Sequence, residues 1–213
     1  MSDIVLFDYW RSSAAYRMRI ALGLLGLDWQ AVEVDLGTGA QKLPANIARH
    51  PQGLVPTLQI DGVMLVQTLA MIEYLDETRN AGFLPDDPVG RARVRAMAYA
   101  VAMEIHPVCN LSVATHAERA SEGRITVEGW MQTFIPKGLA GLELMLEDAA
   151  TGPYCHGAKV SMADICLVPQ IYNAHRWGVD IAPFPRAAEI AARLEELAPV
   201  AAAHPDRHKP AEG

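Results

Sequence analysis

Up to residue 84 the hydrophobic period of this chain switches repeatedly between two and 3.6 residues, and beyond it the helical period alone persists. The run "IVLFDY" at positions 4–9 is β-branched and aromatic, and from Ser13 to Leu25 apolar residues recur at helical spacing until Gly26 stops them. "WQAVEVDL" then alternates as a second strand, and "GTGAQKLPANIARHPQG" reads as loop and short helix. "TLQIDGVMLV" is two strands joined at Asp61-Gly62, a pair suited to a tight hairpin, and residues 67–79 form a helix. The order β-α-β-α-β-β-α combines one parallel crossover with a terminal hairpin. A small α/β domain over 1–84 follows, then "NAGFLPDDPVG" as a linker, then an all-α domain over 85–213.

In the helical half, Val94, Met97, Ala98, Val101, Ala102 and Ile105 predict one long helix running to Pro107, whose missing N–H should kink it at the Met103 carbonyl. A second helix is expected within 124–149. "KVSMADICLVPQIYNAHRWGVD" carries a clear start: Ser161 can cap, Asp164 can reach back, and Val160 can pack on Ile165. Gly178 stops that helix, a last helix covers 186–197, and "AAAHPDRHKPAEG" reads as a frayed tail. Arg91, Arg93 and Arg95 stand where the helix dipole disfavours cations, and a solvated face or a subunit contact is expected for them.

A hydrophobic content of 51% in 213 residues is ample for a core, while a net charge of -7 leaves no footprint for nucleic acid or an anionic membrane. An anionic ligand therefore needs a local basic pocket. "MSDIVLFDYWRSS" lacks the pattern of a leader, and nowhere do about 18 apolar residues run together, so a cytoplasmic protein is expected. Cys109, Cys155 and Cys166 are spaced for neither a disulfide framework nor a zinc site, and no histidine spacing suggests a metal.

Three places could hold a small peptide-like anion. Ser12 and Ser13 lie at the mouth of the first helix, where they can serve as plain caps or share free N–H groups with a bound anion. Pro56 opens a strand either as an ordinary trans residue or as a cis turn that leaves the Val55 backbone facing outward, able to pair with an extended peptide. Gln67 and Thr68 begin the next helix, where a ligand carboxylate could replace the cap.

"DYWRSSAAYRMRIAL", "GLVPTL", "QTLAMIEYLDE", "IHPVCNLSV", "SMADICLVPQIYNAHRWGVD" and "APFP", in this order, resemble the zeta-class glutathione transferases, which include maleylacetoacetate and maleylpyruvate isomerases. The resemblance covers Ile4 to Pro185. It implies a thioredoxin-like α/β N-terminal domain, an all-α C-terminal domain, a homodimer, and glutathione as cofactor. It places Ser12 beside the glutathione sulfur, with Ser13, Ala14, Ala15, Tyr16 and Arg17 completing the loop. Gln41, Val55, Pro56, Gln67 and Thr68 match further glutathione contacts. His106, Asn110, Leu111 and Ser112 match a segment of the helical domain that closes on it.

The implied reaction is a cis-trans isomerisation of a maleyl dicarboxylate by reversible thiolate addition, in which Arg11 and Arg176 match the arginines that clamp the substrate. The family loop usually reads Ser-Ser-Cys, and here Ala14 takes the third place. A mixed disulfide, needed for reductive dehalogenation, requires a protein thiolate there, whereas isomerisation uses that of glutathione alone. Thr68 replaces the usual serine and keeps its hydroxyl. Transfer to other electrophiles, haloacid dehalogenation and non-catalytic glutathione binding are the competing readings.

Overall fold

The computed structural model describes residues 3–210. The elements are β1 (Val5–Asp8), α1 (Ser13–Leu24), β2 (Gln30–Glu33), α2 (Pro44–Ile47), β3 (Thr57–Ile60), β4 (Val63–Leu65) and α3 (Thr68–Arg79). There follow α4 (Pro88–Tyr99), a π-helical stretch (Ala100–Ile105), α5 (His106–Val108), α6 (Leu111–Ala120), α7 (Val127–Met145), α8 (Met162–Arg176), α9 (Pro185–Glu195) and α10 (Ala198–Ala202). Met1–Ala81 with Glu196–Gly213 make one compact unit, and Gly82–Glu195 another.

The first unit is the expected thioredoxin-like layer. Its sheet runs β2-β1-β3-β4, with β1 parallel to β2 and antiparallel to β3, and β3 antiparallel to β4. Asp61 and Gly62 both take positive φ, 52° and 77°, as the tight hairpin requires. The register has a consequence for function. Asp8 pairs with Glu33, Phe7 with Thr57, and Leu58 with Leu65, so the ends of β1, β2 and β4 and the start of β3 share one end of the sheet. At that end lie three connections, which carry Ser12, Gln41 with Val55, and Gln67.

Behind this end lies a buried cation. Arg19 is fully buried; its Nη1 donates to Asp8 Oδ2 at 2.6 Å, Nη2 to the Trp10 carbonyl at 2.8 Å, and Nε to the Ala203 carbonyl at 3.1 Å. The last contact corrects the expected frayed tail. Val200 and Ala203 are buried, α10 packs on α1, and a Cβ at Gly23 would come 3.3 Å from the Pro199 carbonyl, so glycine there permits the close approach. Glu196–Gly213 thus group with the first unit, and of that stretch only the final "AEG" lies outside the described residues.

The second unit is all helical. The helix expected to run to Pro107 and kink there changes to π-helix over Ala100–Ile105, so that the N–H of His106 bonds the carbonyl of Val101, five residues back. Proline lacks an N–H and crowds the preceding turn, and the wider π turn relieves both. α6, which sequence reasoning did not separate out, begins at Asn110, whose side chain accepts the Ser112 N–H. α8 begins as expected: Asp164 Oδ2 accepts the Ser161 N–H and hydroxyl at 2.8 and 2.6 Å, while its Oδ1 accepts the Cys155 N–H at 2.8 Å. Arg93 departs from the expected solvated or subunit-facing role, donating to the Cys155 carbonyl at 2.7 Å and to Thr151 Oγ1 at 2.6 Å. It fastens the loop between α7 and α8. No helix among the described residues is long and apolar enough to cross a membrane.

Removing one partner of a buried ion pair strands the other charge. Arg19→Met should therefore lower the free energy of unfolding in urea by about 3–5 kcal/mol. The double variant Asp8→Leu, Arg19→Met should recover part of that loss; a single-variant loss below ~1 kcal/mol would remove the pair from the fold's supports.

Candidate active site

The mouth of α1 is set by its local sequence. Ser12 stands outside the helix at φ -69° and ψ 122°, its N–H bonded to the Tyr9 carbonyl at 2.9 Å and its Oγ accepting the Ala15 N–H at 3.2 Å. A hydroxyl that accepts in this way keeps its own proton to donate, so capping and binding an anion are compatible. No acidic residue occupies the first turn, and the positive end of the dipole is uncompensated there. Ser13 and Ala14 are half-buried beside it, whereas Ala15, Tyr16 and Arg17 turn inward. Tyr16 packs edge-on to His204 with ring centres 6.1 Å apart. Arg11 is half-buried and lies over the Trp10 ring, 5.1 Å from its centre.

The loop from β2 to β3 supplies the second wall. The Val55-Pro56 bond is cis, which decides between the two alternatives open from the sequence. Pro56 is buried and Val55 half-buried, and among the described residues no protein group bonds the Val55 backbone. Asn46, which the sequence did not single out, ties this loop together: its Nδ2 donates to the Gln41 carbonyl at 3.0 Å and to the Leu54 carbonyl at 3.3 Å. It thereby sets the two stretches that carry Gln41 and Val55. Its signal was too weak to find, since an asparagine in a polar loop reads as a turn former.

At the start of α3, Gln67 is held at φ 69° and ψ 107°, a conformation that costs a non-glycine residue ~1–3 kcal/mol and concentrates at binding sites. Its amide donates to Gln52 Oε1 at 2.5 Å. No side chain caps α3 and none in its first turn is acidic. Thr68, expected as a possible cap, is instead the first helical residue, buried, and accepts from Arg17 Nη1 at 3.4 Å. One end of the sheet therefore presents a hydroxyl, an unpaired backbone segment and two positive helix ends without an acidic residue, of which only that of α3 lacks a side-chain cap.

The second unit carries its own group of expected site residues. His106 begins α5 and is half-buried, while Asn110 turns its Oδ1 to the Ser112 N–H and hydroxyl at 3.0 and 2.8 Å. Leu111 is 52% exposed, which leaves its side chain available to a ligand. Arg176 ends α8, exposed, with its guanidinium over the Trp177 ring 4.8 Å from the centre. Two residues of α7 fix both groups. Trp130 donates to the Val108 carbonyl at 2.9 Å, and Gln132 donates to the Trp177 carbonyl at 3.1 Å.

None of the three thiols is poised as a nucleophile. None is in a disulfide and all three are buried, and burial pushes Cys109 up to about 11 and Cys155 well above the ordinary thiol range. Among the described residues no three His, Cys, Asp or Glu side chains gather as a metal site.

Burial also holds the His50 imidazole below its ordinary pKa, so the folded loop prefers it neutral. That contribution is fully present above the unfolded value of about 6.5 and is lost as pH falls below it toward the folded value. The protection factor of the Gly53 amide, which donates to the His50 carbonyl at 2.8 Å, should therefore fall as pH is lowered from about 7 to about 5. A flat profile would contradict this.

Residues 6–82 match the N-terminal domain of the glutathione S-transferases. The chain is 54% identical over 211 residues to the maleylacetoacetate isomerase of Rhizobium meliloti, covering 98% of this chain and 99% of that protein. It superposes on a maleylpyruvate isomerase described as a bacterial zeta-class glutathione transferase with a TM-score of 0.92 at 34% identity, covering 98% of this chain and all of that one. Maleylacetoacetate isomerase from Methylobacterium extorquens AM1, crystallised with malonate and glutathione, gives 0.92 at 38% identity over 98% and 99% of the two chains. With these relatives and this architecture, the chain belongs to the zeta class of the glutathione transferases.

Proposed function

We propose that this protein is a glutathione-dependent cis-trans isomerase that converts maleylacetoacetate to its fumaryl isomer. The observation that carries the reading is the mouth of α1, where the Ser12 hydroxyl and an uncompensated helix N-terminus present donors to one anion. The residues fit glutathione. Val55 offers backbone groups to an extended peptide, the uncapped start of α3 at Gln67 and Thr68 suits an α-carboxylate, and Ser12 with α1 suits a thiolate. Gln41 and the Ser13–Arg17 turn border the same end of the sheet. The zeta-class resemblance adds His106, Asn110, Leu111 and Ser112 to the glutathione contacts.

When bound, glutathione supplies a thiolate that adds reversibly to the conjugated double bond, so that the bond turns as a single bond before the thiolate leaves. Ser12 and the α1 N-terminus lower the thiol pKa by stabilising its charged form. Arg11 and Arg176 clamp the substrate carboxylates, each with its guanidinium plane steadied on a tryptophan. In a chain of net charge -7 an anionic ligand depends on such local cations and on the helix ends. The malonate and glutathione held together by the Methylobacterium relative support this pairing of a dicarboxylate with the thiol.

Maleylpyruvate is the second reading, favoured by the TM-score of 0.92 with a maleylpyruvate isomerase; the two substrates differ at one acyl end. Ala14 and the three buried thiols argue against a mixed disulfide, and so against reductive dehalogenation. We further propose a homodimer in the cytoplasm, with the glutathione domain over 1–84 and the helical domain over 85–213 as the functional division, the α10 segment supporting the former.

Ser12→Ala, assayed by the absorbance of maleylacetoacetate with saturating glutathione, should lower kcat by about a hundredfold, as loss of a donor to a reacting anion does. Unfolding stability should change by no more than the ~0.5–2 kcal/mol of a lost cap. An unchanged kcat would remove Ser12 from the chemistry.

A further inference from the structure

The guanidinium of Arg19 binds three parts of the first unit at once. Nη1 meets the Asp8 carboxylate at the end of β1, Nη2 meets the Trp10 carbonyl in the turn before Ser12, and Nε meets the Ala203 carbonyl beyond α10. The turn is gripped at both ends, because the Ser12 N–H also closes on the Tyr9 carbonyl at 2.9 Å. Between those two bonds lies Arg11, whose guanidinium rests on the ring of Trp10. The planar fork spends its donors on three acceptors in different directions, which a lysine ammonium on a flexible stem cannot reproduce.

We infer that Arg19 is a positioning residue for the thiolate site, and that residues 196–208 form part of that site's support through the Ala203 carbonyl. The inference rests on the glutathione-dependent reading of the mouth of α1. Arg19 touches neither cofactor nor substrate. It acts by fixing the height and direction of the turn from which Ser12 and Arg11 project, and sub-ångström placement of such donors governs how well they hold a charge. The C-terminal segment is then more than a cover for α1, since its last helical turn ends on the same guanidinium that holds the turn before Ser12.

The test compares wild type, Arg19→Lys and Val200→Ala. Val200 is fully buried in α10, and its truncation weakens the packing of that helix without touching the guanidinium. Each protein is saturated with glutathione and titrated by ultraviolet thiolate absorbance, and kcat and KM for glutathione are measured alongside the melting temperature. Both variants should melt earlier. Arg19→Lys should raise the pH midpoint of the bound thiol by about one unit and lower kcat about tenfold, with a smaller change in KM, and Val200→Ala, acting through the Ala203 carbonyl, should move both in the same direction by less. An Arg19→Lys protein that melts earlier but ionises bound glutathione at the wild-type midpoint would show a purely structural residue and overturn the inference.

A second measurement needs no variant. In the wild-type protein the Ser12 amide, bonded to Tyr9, and the Ala203 amide, bonded to Pro199, should exchange through one shared opening. Fast, separate exchange at Ser12 with Ala203 still protected would also overturn it. If wild type with glutathione shows no thiolate signal, the functional reading itself falls and takes the role of Arg19 with it.

Discussion

A guanidinium with no exposure to water must keep its partners, and the first unit is arranged around that requirement. Arg19 projects from the middle of α1, so its bonds to Asp8, Trp10 and Ala203 tie the central strand, the turn before the helix and the C-terminal segment to one atom group. The sheet register then brings the other connections to the same end, because β2 ends beside β1 and the hairpin returns β4 to where β3 began. The consequence is a scaffold in which Ser12, Gln41, Val55 and Gln67 leave one edge of a rigid layer. Sites placed in this way hold their geometry better than sites built on loops alone.

The electrostatics follow from what this edge lacks. Neither α1 nor α3 has an acidic residue in its first turn, and α3 has no side-chain cap. In an acidic chain, two helix N-termini free of acidic side chains at one edge concentrate positive potential. Gln67 adds a backbone held in a costly conformation at the start of α3, which native proteins retain chiefly where a ligand repays it. The protein's own thiols are all buried, burial raises those of Cys109 and Cys155, and Ala14 leaves the α1 mouth without one. A borrowed thiol is the consistent solution.

Much of this was legible in the residues because it is local. The period of "IVLFDY" and the helix behind it, Asp61-Gly62, and the Ser161 and Asp164 pair are short-range signals, and each element they specify stands as expected. The Ser12 cap is equally local. What escaped depends on partners far along the chain. "AAAHPDRHKP" reads as a polar, proline-rich tail, and only Gly23 on α1 and the Arg19 donors make it a packed segment. Arg93 at a helix start reads as solvated until Thr151 and Cys155, some sixty positions away, are seen to accept its protons. Pro107 announced a kink, but the choice of a π turn over a bend depends on neighbouring packing, with α7 lying against that stretch. Asn46 in the first unit, and Trp130 and Gln132 in the second, fix neighbouring segments of their own units through carbonyl oxygens, which leave no trace in side-chain pattern.

The central claim is that glutathione is a catalyst here and leaves the reaction unchanged. Its most direct test is the ratio of product formed to glutathione lost when the wild-type protein converts excess maleylacetoacetate in the presence of a small fraction of that amount of glutathione. The account predicts that all of the substrate becomes the fumaryl isomer, that the glutathione thiol is recovered intact, and that omitting glutathione stops the conversion. Loss of one glutathione for each substrate, or the same rate without it, would contradict the account.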